Sequence, residues 1–380
     1  MSAIQHCLAL KPFCEKQLVL AEQEAKDHIS IVQRFVKEVF GKDLNVQFTV
    51  QWGKPNAWWD GKKITFNIAN FLGDDGQPAR FTRDFDIVAH EIGHIMERVL
   101  RGTKRLPPYT GKSGAIRESV ADSFAMWAKE RAIRQGYLPP CSDKEFWLIG
   151  DTVVKDKVVC NGKVCHVYKQ ALRSFTNPGT AFEKHPVLGS DRQKLQYQYL
   201  PLEEDNGGVH HEAGILNRII YEICETTGTN PRSQLGTVVP LVLKIYGLLD
   251  APYTFGRLGK TMVNYLRGNY ALTLGERTLV QKVAIIEDIW NKQLKHALGA
   301  VPTSRKPSIA RARTTGGKIS RQPVRKTSAQ AQAKRSTTPK TAHTCPASRT
   351  KKPPKRKTQT GRRSATRAKI PVRTTTSTRR

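Results

Sequence analysis

The last 80 residues of this chain cannot contribute to a packed fold, because residues 301–380 hold 24 Lys and Arg, no Asp or Glu, and no aromatic side chain. Thr, Ser, Pro, Lys, Arg and Ala dominate the segment. It has almost no large apolar surface whose burial would offset the entropy of ordering it. Whatever folds must therefore be built from the first 300 residues of the 380. That length suits two packed lobes around a sizeable core, since single domains run to about 100–200 residues. The formal charge of +31 divides in the same way: residues 1–300 keep 39 basic and 32 acidic groups, a net of +7, ordinary for a folded enzyme. The tail is expected to be disordered when free and to bind phosphates or acidic surfaces by counterion release.

Seven cysteines, at 7, 14, 141, 160, 165, 224 and 345, are too few and too scattered for a disulfide-built scaffold, so reduced thiols are the default. Cys160 and Cys165 flank Asn161-Gly162, a two-residue turn signal between β-branched residues, and their oxidation state stays open. Near the N-terminus the longest apolar runs, Cys7–Leu10 and Leu18–Ala21, fall short of a signal-peptide core. No run approaches the roughly 18 residues needed to span a bilayer. A soluble protein, with no membrane partner, is expected. It would be cytoplasmic or exported by a non-classical route.

Residues 1–45 carry Ile29, Ile31, Val32, Phe35, Val36 and Val39 at helical spacing. Residues 45–52 and 62–71 read as strands separated by Pro55 and Gly61. From about residue 84 the pattern is mostly helical, and Leu279, Val283, Ile286, Trp290 and Leu294 predict one helix over 279–298. The fold class is α+β. Three regions are expected: an N-terminal lobe with a β-sheet over 1–100, a mainly helical lobe over 101–300, and the basic tail over 301–380.

The decisive string is His90-Glu91-Ile92-Gly93-His94, flanked by Ile87, Val88, Ile95, Met96 and Val99. Residues four apart share a helix face, so both imidazoles can meet one Zn²⁺ while Glu91 faces the water that the metal activates. A catalytic zinc needs a third protein ligand and an open position. Glu118 and Asp122, again four apart, lie on a second predicted helix. Glu118 can complete a His₂Glu site, and Asp122 can accept the remaining N–H of a ligating imidazole. Gly114, Ala115, Val120, Ala121 and Phe124 make this a helix that packs closely, which lowers the weight of two merely exposed carboxylates.

The order of these motifs, followed by Asp205-Asn206-Gly207-Gly208-Val209-His210, resembles the thermolysin-like zinc metallopeptidases, with protealysin-like members the closer comparison. The resemblance covers about residues 50–300. It implies a two-lobed fold with a short β-containing lobe and a helical lobe. It implies His90, His94 and Glu118 as zinc ligands, Glu91 as general base, and Asp122 as the carboxylate orienting a ligating histidine. Tyr109 and His210 match the groups that stabilise the oxyanion, with Asp205 holding His210. Arg173, Asn56 and Ala57 match residues holding the substrate backbone, and Phe81, Ile87, Ile149, Val153 and Leu172 match a pocket for a bulky apolar residue after the cut. A monomeric endopeptidase acting on peptide or protein substrates is the implied activity.

Several positions depart from that pattern. Residues 95–108 are longer than usual and strongly basic, His211-Glu212 is unusual, and the β lobe before Asn56 is short. No long propeptide is recognised. Ile92-Gly93 replaces the commoner Leu-Thr and is expected to matter little, because those side chains point away from the metal. Asp86 and Asp151 match family calcium ligands, whereas Lys129 and Phe146 stand where two further carboxylates are expected. Calcium wants six to eight oxygens. It is therefore expected to be absent, with the Lys129 ammonium neutralising Asp86 and Asp151. The rival reading lets Glu130 shift by one position and rescue the site. A function of another class also stands: a nucleic-acid-binding protein with a histone-like tail and a vestigial peptidase body. Lys351–Lys357 resembles a nuclear-import cluster.

Overall fold

The computed structural model describes residues 3–298, apart from 74, 75, 155, 162, 163, 199 and 269–271. Side chains are described from residue 13 onward, except those of residues 157–161, 164–168 and 274. The basic tail and the thiols of Cys160 and Cys165 therefore lie outside the described residues. Among the described residues, no helix is long and apolar enough to cross a membrane.

A 38-residue helix, α1 (Ala3–Phe40), opens the fold. Ala21, Ala25, Ile29, Val32, Phe35 and Val36 recur at three- and four-residue spacing and are all buried, so the helix lays one face on the core. It ends at Gly41, whose φ of +63° suits a glycine and whose N–H bonds the Lys37 carbonyl at 3.0 Å. Its polar side is anchored too. Glu24 takes the Nε and Nη2 of buried Arg80 at 3.0 and 2.9 Å, and Gln17 takes Nη1 at 2.9 Å.

A four-stranded sheet follows: β1 (Gln47–Gly53), β2 (Ala57–Trp59), β3 (Lys63–Leu72) and β4 (Pro78–Arg80). The long β3 is the hub. It pairs parallel to β1 and antiparallel to β2 and β4, with Ala57 opposite Phe66 and Trp59 opposite Ile64. Ile64, Phe66 and Ile68 are fully buried and Thr65 and Asn67 nearly so, so β3 is covered on both faces although apolar and polar residues alternate along it.

Helices then take over: α2 (Phe85–Arg101) and α3 (Gly111–Arg134), the short α4 (Asp143–Phe146), and further on α5 (Asp205–Thr227), α6 (Pro231–Leu248), α7 (Phe255–Gly268), α8 (Leu274–Val280) and α9 (Val283–Leu298). Between α4 and α5 lie two small pairs, β5 (Leu148–Ile149) with β8 (Arg173–Ser174), and β6 (Lys157–Asn161) with β7 (Val164–Tyr168). The β6–β7 register sets the Cys160 and Cys165 backbones opposite each other. Ile64 and Phe66 of the sheet share one buried cluster with Ile92, Phe124, Ile220 and Tyr246 of the helices. The expected single helix over 279–298 is instead two, broken at Gln281 and Lys282. There the Lys282 ammonium bonds the carbonyl of Thr227 at the end of α5, a contact the continuous helix forgoes.

The close approach of α2 and α3 sets up everything that follows. A Cβ at Gly93 would lie 2.8 Å from the Cα and 3.1 Å from the Cβ of Ala121. Gly93 does point away from the metal-binding face, as expected, but the residue type matters: the two backbones meet there, and a threonine would hold them apart.

Candidate metal centre and cleft

Asp84 caps α2, its carboxylate accepting the N–H groups of Asp86 and Ile87, and from there the apolar stripe turns the next turns of the helix inward. His90 and His94, one turn apart, present their rings edge to face with centroids 4.8 Å apart. Glu118 arrives from α3. Its Oε2 lies 3.5 Å from His90 Nε2 and its Oε1 3.2 Å from His94 Nε2, and all three residues are buried. One ligand atom from each lies within 4.8 Å of the others, a set able to hold a metal ion.

Behind these nitrogens stand carboxylates. His90 Nδ1 lies 2.7 Å from Asp122 Oδ1, and His94 Nδ1 lies 2.5 Å from Glu97 Oε1. The first was expected from the four-residue step after Glu118; the second was not. Asp122 is itself held by Arg173 Nη1 at 2.5 Å and Asn217 Nδ2 at 2.8 Å, and the Ser119 hydroxyl reaches Asn217 Oδ1 at 2.5 Å. The hydrogen bond to Glu97 fixes the His94 ring so that its Nε2 faces the shared point, while Asp122 stands beside His90 Nδ1 as a charged neighbour. Burial pushes the Glu118 carboxyl up, but His210, His94 and His90 outweigh it and hold the group well below the ordinary value. Asp122 is likewise lowered, with Arg173 and His90 overcoming its burial.

Tyr109 and His210 come from two segments that touch. Asp205 and Asn206 both have φ of +51°, followed by Gly207 at +79° and Gly208 at +86°, a left-handed run that the Asn-Gly-Gly string permits. It brings Val209 so near the start of α3 that a Cβ on Gly114 would fall 2.3 Å from a Val209 methyl. The Tyr109 hydroxyl thus donates to Glu118 Oε1, and His210 Nε2 lies 3.2 Å from Glu118 Oε2. Asp205 grips His210 twice, 2.5 Å from Nδ1 and 2.9 Å from the backbone N–H. Burial lowers the His210 pKa, but Glu118 and Asp205 reverse this and raise it to about 9. Glu91 lies between the histidines, 4% exposed, with Oε2 bonded to no protein group, and desolvation raises its pKa.

These groups open on a cleft of about 600 Å³. Asn56, Ala57, Phe81, Ile87, Ile149, Leu172 and Arg173 line it, as expected. Val153 does not: it is fully buried, in the cluster behind Phe81 and Ile87. Strand β2 forms part of the wall, with the Asn56 carbonyl bonded back to Asn67 N at 3.0 Å.

A second acidic group lies at the start of α2. Asp84, Asp86 and Asp151 bring carboxylate oxygens within 4.8 Å of one another. The Lys129 ammonium sits 2.7 Å from Asp86 Oδ2 and donates to the Leu148 carbonyl at 3.1 Å, with the Phe146 ring 5.6 Å away. Asp84 accepts the Thr152 N–H and hydroxyl at 3.2 and 3.0 Å, and Lys169 stands 3.7 Å from Asp151. Glu130 is outside this group and faces Arg134 at 3.6 Å.

Residues 108–243 match the family model for the α-helical domain of thermolysin metallopeptidases. An extracellular metalloprotease of Pectobacterium carotovorum subsp. carotovorum is 30% identical over 228 residues, covering 58% of this chain and 59% of the relative. Protease PrtS of Photorhabdus sp. (strain Az29) is 30% identical over 220 residues, covering 55% and 53%. The chain thus spans somewhat over half the length of these curated relatives. Among solved structures, the precursor of protealysin, a metalloproteinase from Serratia proteamaculans, superposes with a TM-score of 0.52 at 26% identity, over 72% of this chain and 78% of that one. The mixed α+β fold resembles that of the protealysin precursor, and its helical half is similar to the α-helical domain of the thermolysin metallopeptidases.

Proposed function

We propose that the chain is a zinc-dependent endopeptidase. The observation that carries this reading is the convergence on Glu118 of two imidazole nitrogens, a tyrosine hydroxyl and a third histidine at the floor of an open cleft. Two neutral imidazoles and a carboxylate, each imidazole backed by a further carboxylate, are a donor set that suits zinc, held by His90, His94 and Glu118. When bound there, zinc supplies Lewis-acid polarisation of a carbonyl and activation of water.

The protein's own groups do the rest. Glu91 is the general base: desolvation favours its protonated form, so it takes a proton from the attacking water and passes it to the departing amide nitrogen. Tyr109 and His210 donate hydrogen bonds to the oxyanion that forms on the scissile carbonyl, and Asp205 keeps His210 aimed and protonated. Asp122 orients His90. Asn56 and Ala57, at the start of the rim strand β2, hold an extended substrate backbone, helped by Arg173. Phe81, Ile87, Ile149 and Leu172 wall the pocket for the residue after the cut, with Val153 stiffening it from behind, and such a lining rejects charge by desolvation. The test is cleavage of casein or peptides with and without a zinc chelator. Metal-dependent hydrolysis before bulky apolar residues is expected, whereas a protein that binds zinc and cleaves nothing would end this reading.

The second acidic group is read as a calcium site replaced by an internal cation, with Lys129 in the cation's position. The tail over 301–380 is read as a non-specific nucleic-acid-binding extension, supported by its 24 basic and absent acidic and aromatic residues. Its binding should fall steeply with salt, and its deletion should leave hydrolysis intact. A tight, salt-insensitive complex would contradict this.

A further inference from the structure

The two histidines of the metal centre are backed from different places. His90 leans on Asp122, a residue of the neighbouring helix. His94 leans on its own helix, one turn further on, where Glu97 is fully buried. A carboxylate at that depth is costly unless every oxygen is occupied. Here both are: Oε1 faces His94 Nδ1 at 2.5 Å, while Oε2 takes Arg117 Nε at 2.6 Å and the Tyr246 hydroxyl at 2.6 Å. The donors come from α2, α3 and α6, so the carboxylate is fixed by three elements.

Arg117 ties this group to the rest of the centre. It immediately precedes Glu118 on α3, its Nη1 donates to the Pro107 carbonyl at 3.2 Å, and its guanidinium lies 5.0 Å from the Tyr109 ring. A shift of Glu97 would thus be felt at His94 directly and at Tyr109 through Arg117. Tyr246, buried without exposure, closes the far side.

We propose that Glu97 is a positioning residue of the metal centre: by accepting the Nδ1 proton of His94 it fixes the tautomer and ring orientation that direct Nε2 towards Glu118, and Arg117 and Tyr246 hold it in that role. The proposal rests on the zinc reading above, so its test measures metal binding apart from turnover. Full-length wild type and the variants Glu97→Gln and Tyr246→Phe are titrated with zinc against a chromophoric chelator, and their melting temperatures are recorded in parallel. Leu266→Ala, a buried apolar truncation in α7, serves as the control for simple destabilisation.

Glu97→Gln should weaken zinc binding about 10- to 100-fold, the usual effect of losing such a partner, and Tyr246→Phe less. In peptide assays at saturating zinc, kcat should fall while KM holds. The control should lose melting temperature without losing zinc affinity. If Glu97→Gln folds and binds zinc as tightly as wild type, the proposal is overturned and Glu97 only pins helices together. If that variant does not fold, an unchanged zinc affinity in Tyr246→Phe overturns it equally. Wild type that binds no zinc would instead bring down the zinc reading itself.

Discussion

The molecule holds two buried groups of acids at either end of the first half of α2, and they are solved in opposite ways. Around Glu118 the positive and donating groups are histidines, a tyrosine and arginines, and Arg173 shares Glu118 Oε2 with His90 and His210. Arg173 holds Asp122 and Glu118 from the side, and Arg117 holds Glu97. The ligand atoms are left facing the cleft. Around Asp86 the ammonium of Lys129 lies on the Asp86 carboxylate itself, and Asp84 caps α2 and binds Thr152. What separates the two groups is the company of the oxygens: Glu118 shares its pair with three histidines, a tyrosine and Arg173, whereas Asp86 meets the Lys129 ammonium.

Removing the base from the first group should have the largest effect. Glu91→Gln is expected to lower turnover by at least about 10²- to 10⁴-fold while leaving zinc bound. Metal analysis alongside peptide hydrolysis checks both halves, and activity close to wild type would mean that another group takes the proton. Next comes the second group. Lys129→Ala leaves Asp86 buried beside Asp84 and Asp151 without its counter-ion, and should cost about 3–5 kcal/mol in a denaturant titration. A loss under about 1 kcal/mol, the range of an exposed pair, would show that the ammonium is dispensable.

Calcium sharpens the same contrast. In wild type, millimolar calcium should leave the melting temperature unchanged. In Lys129→Ala, with the carboxylates released, it should recover part of the loss. A rise in wild type that magnesium does not reproduce would show that the aspartates still bind a divalent ion. The smallest effect concerns His28, which packs its ring edge on Phe85 at 5.6 Å and sets Nδ1 3.0 Å from the Thr82 carbonyl, two residues before Asp84. Burial lowers its pKa from 6.5, against the pull of Thr82 and Asp84. The unfolded chain therefore binds the extra proton first, so this contribution is complete above pH 6.5 and is lost as the pH falls below it. Stability measured between about pH 5 and 7 should slope less in His28→Phe than in wild type. An identical slope would assign the acid sensitivity elsewhere.

The parts of this design that depend on local spacing were readable in the sequence. The four-residue steps from His90 to His94 and from Glu118 to Asp122 gave two helices and one side of the metal centre. The Asp-Asn-Gly-Gly string was read only as the motif that carries His210, and the left-handed run it permits appeared with the structure, whereas Lys129 beside Asp86 followed from residues missing where carboxylates were expected. What escaped depends on distant neighbours. Glu97 stands three residues after His94, a spacing that was there to be noticed, yet on an amphipathic helix such an acid reads as solvent-facing until Tyr246, 149 residues away, is known to cover it. Val153 was assigned to the pocket wall by the resemblance, but it is fully buried in one cluster with Phe81 and Ile87. The break between α8 and α9 was hidden because the apolar stripe continues across it, and the contact of Lys282 with the Thr227 carbonyl is visible only in the structure.

The contact of Gly93 with Ala121 has a consequence for how this chain can be altered. It works as a gauge block: the separation of two helix axes, set by the absence of one methyl group, defines the span across which His90, His94 and Glu118 must reach. The connection between the helices touches that span at Pro107, which accepts from Arg117, and at Tyr109, which donates to Glu118. A change in the connection that moves either residue would therefore reach the centre, so rim and centre are joined there.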